Sequence, residues 1–325
     1  MIDSEQLHRI IEDMKQTNIL VIGDVMLDMY EHCVVKRISP EAPVPIATVV
    51  SDSCFLGGAG NVANNARALG ASVSLVSVVG DDLSGSLVRE LLKKGGIDDE
   101  GLIVEEGRIT TTKKRIVSGT QQLMRIDREV TTDINTECEI QISAILRKKI
   151  QRCDVIIISD YCKGLLTDTL VSFLKNEGKA QSKKILVDSK SKHLLRYEGV
   201  DVIKPNKSET EIFIGESFAH NYENLSPIGM KVSELLNTNL VITLGADGIA
   251  LFSGEEFHHM KTNALQVFDV SGAGDTVLSV IGTALATGAS LHEAVHLSNI
   301  AAGHVVSCLG TTVCDLETLR AILNK

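Results

Sequence analysis

The chain has 325 residues, a formal net charge of -10, 44% hydrophobic residues and no tryptophan. That length allows one large domain or two small ones with a substantial core, and an acidic chain without basic runs suits neither nucleic acid nor an anionic membrane. Seven scattered cysteines without a C-x-x-C pair fit a reducing compartment, no apolar run reaches membrane-spanning length, and residues 1–5 do not open a signal peptide, so a soluble, cytoplasmic protein is expected.

In chain order, strand-like apolar runs occur at residues 19–22, 73–79, 155–159, 185–188, 202–204 and 240–244. Helix-like segments at 61–69, 83–94, 137–152, 167–176 and 227–236 separate them. Buried continuous strands alternating with helices predict an α/β fold with a mainly parallel sheet covered on both faces. Ala246-Asp247-Gly248 lies between the apolar runs 240–244 and 249–252, a hairpin signal that places antiparallel strands at one edge. Segments 30–50 and 110–128 are rich in β-branched residues and proline without a helical period, and read as extended excursions from the core. No linker divides the chain.

Two glycine turns carry the chemistry. Val277, Val280, Ile281, Ala284 and Leu285 repeat at helical spacing, so a helix begins near Asp275, just after Gly272-Ala273-Gly274, and ends before Gly288. Such a turn presents free N–H groups and the positive end of the helix dipole, which attract phosphate. A carboxylate there competes with an anion, unless it accepts the proton of a hydroxyl attacking a phosphoryl group held beside it. The plain alternative is that Asp275 caps the helix. The second turn, Gly57-Gly58-Ala59-Gly60-Asn61, opens a helix with Val62, Ala66 and Leu69 on its apolar side. Gly57 and Gly58 let a ligand approach the backbone, and the Asn61 amide suits sugar hydroxyls.

Gly57-Gly58-x-x-Asn61-x-Ala63 with Asp269-Val270-x-Gly272-Ala273-Gly274-Asp275 resembles the paired signatures of the PfkB (ribokinase-like) carbohydrate kinases, over essentially the whole chain. Residues 23–28, 37–45, 121–127 and 159–164 resemble the bacterial D-glycero-β-D-manno-heptose-7-phosphate kinases. Some of those carry a second, nucleotidyltransferase domain; a chain that stops at Lys325 resembles the kinase-only form. The resemblance implies one kinase domain over 1–325, with a three-layer ribokinase-like fold and a small β-sheet lid from about 30–50 and 110–128. The lid commonly forms the dimer contact, so a homodimer is expected. The implied reaction is transfer of the γ-phosphate of ATP, with Mg²⁺, to O1 of the heptose 7-phosphate, for ADP-heptose and lipopolysaccharide core synthesis.

Residue by residue, the resemblance makes Asp275 the base, with Gly272, Ala273 and Gly274 stabilising the transferring oxygens. Asp28 matches the carboxylate that bonds sugar hydroxyls, against the plain reading of a loop acid. Asn206-Lys207-Ser208-Glu209 matches an Asn-x-x-Glu motif, with Asn206 orienting phosphate and Glu209 acting through Mg²⁺ and its waters; a capping box over the same residues is compatible. Thr243, Gly245 and Gly248 match a nucleotide-facing turn, and Asn299 is placed near adenine. Asp269 and Ser271 match positions that bind a monovalent cation such as K⁺ in some relatives, or simply stabilise the turn. A phosphorylated sugar needs a cationic clamp, for which Arg125 and Lys163 are the candidates with Lys190 behind them; read blind, each is a solvated surface charge.

Other patterns compete. His292-Glu293-Ala294-Val295-His296 reads as a zinc-protease H-E-x-x-H, but Ser290 and Glu293 also form a capping box. Gly58-Ala59-Gly60-Asn61-Val62-Ala63, with Asp81 and Asp82 about 20 residues on, has dinucleotide-binding spacing and raises an NAD-dependent oxidoreductase as the rival class. Only 54–56 precede those glycines where a full buried strand is expected. A non-catalytic sugar sensor would lack the base, and no Walker-A pattern marks a P-loop kinase.

Overall fold

The computed structural model describes residues 3–218, 222–262 (side chains from 225 on), 272–308 and 312–324. The strands are β1 (Asn18–Gly23), β2 (Val25–Ile38), β3 (Pro45–Gly58), β4 (Ser72–Gly80), β5 (Asp98–Glu105), β6 (Thr112–Ser118), β7 (Gln121–Arg128), β8 (Val155–Asp160), β9 (Lys184–Ser189), β10 (Val202–Ile203), β11 (Asn239–Thr243), β12 (Ile249–Ser253) and β13 (Glu256–Met260). The helices are α1 (Ser4–Asp13), α2 (Ala59–Ala68), α3 (Leu83–Lys94), α4 (Thr136–Arg152), α5 (Asp168–Ala180), α6 (Lys207–Ile214), α7 (Tyr222–Leu236), α8 (Ala273–Ala286), α9 (Leu291–Val305) and α10 (Leu316–Leu323).

A nine-stranded sheet runs in the order β13-β12-β11-β10-β9-β8-β1-β4-β5. From β11 to β5 neighbouring strands are parallel; β12 and β13 pair antiparallel at the edge, where the 246–248 turn placed a hairpin. Successive side chains of a strand point to opposite faces. Val21, Leu75, Ile157 and Leu186 therefore join one core with α2, α8 and α9, while Leu20, Ile22, Ile156, Ile158 and Val187 join a second core with α4, α5 and α7. Helices on both faces bury both sides of the inner strands, hence their unbroken apolar sequence. Among the described residues, no helix is long and apolar enough to cross a membrane.

A separate four-stranded sheet has the order β3-β2-β6-β7. Its β2–β3 and β6–β7 pairs are antiparallel, and β2–β6 is parallel. The strands extend beyond the excursions read from sequence: β2 begins at Val25, straight after β1, and β3 reaches Gly58. The far end of the β2–β3 hairpin is exposed on both faces, with Ile38, Val44, Val49 and Val50 open to solvent. The second glycine turn thus follows β3, which pairs antiparallel with β2 in this small sheet, not a buried parallel strand. That removes the dinucleotide-binding reading, because the phosphate-binding turn of a βαβ unit follows an inner parallel strand.

Candidate active site

The site lies at the carboxyl ends of the parallel strands, where such sheets hold their ligands. Tyr161 follows β8, Asp188 lies next to the end of β9 ahead of Lys190, Lys204 follows β10 and Thr243 ends β11. With Gly272–Asp275 and Asn299 they line a cavity of about 550 Å³.

Gly272 is the N-cap of α8 and adopts φ 79°, a left-handed backbone that glycine takes without strain. The first N–H groups of a helix have no partner within it, so the turn at Ala273 and Gly274 aims donors into the cavity. Asp275 follows in that first turn and is buried. Its Oδ2 accepts from Asn61 Nδ2 at 2.7 Å and its Oδ1 from the Tyr161 hydroxyl at 3.1 Å. Burial raises its pKa to about 6, helped by the negative charge of Asp188 and opposed by the Asn61 bond, Lys204 and Tyr161. The carboxylate is held in place, ionised at neutral pH and able to take a proton.

Asn61 is therefore not where the sequence reading put it. Its Nδ2 serves Asp275 and its Oδ1 accepts from Asn65 Nδ2 at 3.1 Å, while Thr276 Oγ1 donates to Asn65 Oδ1 at 2.9 Å. The two glycine-turn helices, α2 and α8, are joined by this buried polar chain. Tyr161 is positioned by one further buried acid, and its neighbour Asp160 is itself tied in place. Asp24 accepts the backbone N–H of Tyr161 at 2.9 Å and of Lys163 at 3.0 Å, and burial raises its pKa to about 6. Asp160 accepts from Cys162 N, Ser189 Oγ and Tyr197 Oη.

Lys204 and Asp188 form an ion pair at 3.0 Å, both side chains 2% exposed. Burial works to raise the Asp188 pKa, but Lys204 and Lys190 hold it below the ordinary carboxylate value. A Cβ built on Gly274 would stand 3.5 Å from Lys204 Nζ, which puts this pair beside the α8 turn. Lys190 reaches Asp188 Oδ1 at 3.1 Å and Glu209 Oε1 at 2.7 Å. Glu209 Oε2 accepts from Asn206 N at 2.8 Å and Asn206 Oδ1 from Glu209 N, which completes a capping box at α6. Both carboxylate oxygens of Glu209 are thus engaged, and the described residues form no group of three or more His, Cys, Asp or Glu able to hold a metal ion. Glu209 does not fit a direct Mg²⁺ ligand here. Asn206 lines the cavity, whereas Lys207 pairs with Glu211 at 3.6 Å and Ser208 is exposed, so those two leave the site.

Thr243, Gly245, Gly248 and Asn299 all line the cavity. Gly248 has φ 90°, and a Cβ there would lie 2.0 Å from the Met260 carbonyl oxygen, so its turn tolerates only glycine. Asn299 Nδ2 donates to the Lys261 carbonyl at 2.9 Å, beside Ala302 and Val306 at the less polar end. Asp269 and Ser271, the monovalent-cation positions, lie outside the described residues.

Asp28, expected from sequence to contact the sugar, sits within β2 and not in a turn; Arg115 Nη1 donates to its Oδ1 at 2.5 Å. What approaches Gly57 is this carboxylate: a Cβ on Gly57 would lie 2.3 Å from Asp28 Oδ2, and one on Gly58 2.4 Å from the Asp24 carbonyl oxygen. Gly57→Ala accordingly displaces Asp28 at a cost of about 1–3 kcal/mol of overpacking. It raises the acceptor KM ~10-fold or more with little change for ATP, and steady-state kinetics with each substrate varied checks this; equal rises in both KM values would detach Asp28 from the acceptor.

Arg125 and Lys163 are already committed to carboxylates. Arg125 Nε meets Asp127 at 3.0 Å and is half-exposed, and Lys163 Nζ meets Glu129 at 2.8 Å. The residues missed from sequence, Tyr161, Arg115, Asp188 and Lys204, gain meaning only through strand register. Lys204 left one trace, a lysine closing an apolar strand before Pro205. The H-E-x-x-H pattern dissolves: Glu293 Oε2 accepts from Ser290 N at 2.8 Å in a capping box, and His292 packs against His258 with ring centroids 4.5 Å apart.

Comparison with known proteins agrees with this geometry. A family model described as pfkB family carbohydrate kinase matches residues 16–319. The chain is 43% identical to the bifunctional protein HldE of Desulfatibacillum aliphaticivorans, over 99% of this chain and 66% of that protein. Against the bifunctional protein HldE of Geobacter sulfurreducens it is 41% identical, over 94% of this chain and 63% of the relative. The chain thus spans just under two thirds of these relatives' length. Among solved structures, Arabidopsis thaliana ribokinase complexed with ribose and ATP superposes with a TM-score of 0.74 at 18% identity, covering 95% of this chain and 99% of that one. Escherichia coli phosphofructokinase-2 in complex with potassium gives 0.76 at 18%, covering 95% and 98%. Two glycine turns joined through Asp275, a nucleotide-sized cavity and a match over nearly the whole length lead to one conclusion: the chain belongs to the pfkB family of carbohydrate kinases.

Proposed function

We propose that this kinase transfers the γ-phosphate of ATP to O1 of D-glycero-β-D-manno-heptose 7-phosphate. Asp275 takes the proton of the sugar hydroxyl as its oxygen bonds to the γ-phosphorus. The bond from that phosphorus to the β–γ bridging oxygen breaks, and ADP leaves. The N–H groups at the start of α8 and the ammonium of Lys190 offset charge on the transferring oxygens, a role in which loss of one donor costs ~10²–10³ in rate. ATP enters as its Mg²⁺ complex, with the adenine beside Asn299 and the phosphates toward α8. The observation that carries this reading is the buried, doubly hydrogen-bonded Asp275 in the first turn of α8.

The heptose assignment is supported by residues 23–28, 37–45, 121–127 and 159–164, which resemble the heptose-7-phosphate kinases, and by the HldE relatives. On this reading the product feeds ADP-heptose and lipopolysaccharide core synthesis. The small sheet would then act as a lid, and its exposed Val49 and Val50 as part of a homodimer contact. A Val49→Asp, Val50→Asp double variant sediments as a monomer where the parent is a dimer; a parent already monomeric ends the dimer claim. All seven cysteines are free, in keeping with a cytoplasmic site. Release of ADP from Mg-ATP across heptose 7-phosphate, fructose 6-phosphate, fructose 1-phosphate and ribose tests the substrate. Turnover requiring the heptose supports the assignment, and faster turnover of another sugar replaces it.

A further inference from the structure

Several cations of the small sheet and of the cavity already hold a carboxylate. Asp28 holds Arg115, Asp127 holds Arg125, Glu129 holds Lys163, and Asp188 with Glu209 holds Lys190. Lys113 differs. It lies on β6 in direct register with Asp28 of β2 and Asp127 of β7, the central position of three strands. Among the described residues its ammonium makes neither a hydrogen bond nor an ion pair, although the side chain is half-buried. Burial depresses its pKa, against the opposing pull of Asp28 and Asp127. Its Nζ stands 5.6 Å from the centroid of the Tyr161 ring, whose hydroxyl holds Asp275.

An ammonium taken partly out of water without a carboxylate partner is unfavourable unless an anion completes it. Two anions come to this site, the nucleotide phosphates and the phosphate of a phosphorylated acceptor. The nucleotide cavity is lined by the N–H groups at the start of α8 and by Lys190 and Lys204, both paired with Asp188, and Lys113 does not line it. Lys190 also stands 5.6 Å from the centroid of the Tyr161 ring, so this side chain is shared by a cation from the cavity and a cation from the small sheet. We infer that Lys113 is a specificity-determining residue of the acceptor side, where its ammonium pairs with the phosphate of a sugar monophosphate. This rests on the proposed function and moves the phosphate clamp from Arg125 and Lys163, which already have partners, to β6.

The test compares wild type, Lys113→Met and Lys113→Arg with heptose 7-phosphate and the same heptose without phosphate, together with calorimetric titration of heptose 7-phosphate in the absence of ATP. The inference expects Lys113→Met to lose at least ~10-fold in discrimination between the two acceptors, with the KM for ATP little changed and Lys113→Arg recovering most of the loss. Titration shows the same weakening, with unchanged melting temperatures reporting intact folding. Equal losses for both acceptors, or a loss confined to ATP, overturn the inference. A wild type that binds heptose 7-phosphate through Lys113 but releases no ADP overturns the proposed reaction and leaves the inference standing; unchanged binding in Lys113→Met overturns the inference alone.

Discussion

Asp275→Asn lowers kcat by ~10²–10⁴-fold, the contribution of a positioned general base, and changes the KM for ATP by no more than about threefold. The substitution keeps the local bonds: the amide oxygen can accept from Asn61 Nδ2, and the amide nitrogen can donate to the Tyr161 oxygen, whose O–H rotates. What disappears is the acceptor for the substrate proton. In the wild type the same carboxylate shapes the pH profile. With its pKa near 6, kcat falls as pH drops below that value and Asp275 becomes protonated. Stability follows the opposite course. Because the folded pKa is raised from 3.8 to about 6, the stability contributed by this group is fully present below 3.8 and lost as pH rises through 6. The Asn variant has no such loss. Its melting temperature exceeds the wild type's above pH 6, and the gap closes toward about pH 4. An Asp275→Asn enzyme with near-wild-type kcat removes Asp275 from the base role.

Asn61→Leu has the second largest effect, because it strips the nearer donor from the buried carboxylate. The 2.7 Å bond lowers the Asp275 pKa, and without it burial and Asp188 act with less opposition. A hydrogen bond to a charged group is worth ~1.5–3 kcal/mol, so the acid limb of kcat moves up by about one pH unit or more. At pH 7 the protonated fraction grows, and a shift of about one to two units lowers kcat ~2- to 15-fold. Folding is weakened by ~1–3 kcal/mol for the buried groups left unpaired, Asn65 included. Tyr161→Phe moves the limb in the same direction by less, since its bond is longer at 3.1 Å. Measuring kcat from pH 5 to 9 separates the claims: a slower enzyme whose acid limb stays near 6 would mean Asn61 does not hold the base.

Much of this was legible in the chain. Inner strands buried on both faces carry unbroken apolar runs, and β1, β4, β8, β9 and β11 were marked by them; α8 was marked by its periodicity and glycine turn. The weaker elements were hidden for physical reasons. β5 mixes acids with apolar residues, and β13 is an edge strand of half-exposed residues, so neither shows a core pattern. Segment 110–128 read as one excursion but is two strands, reversing at Gly119, whose φ is 59°. Asp275, the candidate base, stood out in the chain because it sits in its own motif. Its partners did not, since Asn61 reaches Asp275 across 214 residues and Tyr161 across 114. Glu209 was read as acting on Mg²⁺ through water and, compatibly, as a cap; the cap is present, and the bond to Lys190 was not legible. Charge pairing is a property of register, which is why Arg125 and Lys163 looked available and Lys113 looked ordinary.

The most direct test of the account is phosphorus NMR of the wild-type enzyme with Mg-ATP and heptose 7-phosphate. The account predicts ADP and a second sugar phosphate resonance in equal amounts, coupled to the anomeric proton, with neither formed by Asp275→Asn. ADP accompanied only by inorganic phosphate, or a new resonance formed equally well by Asp275→Asn, would contradict it.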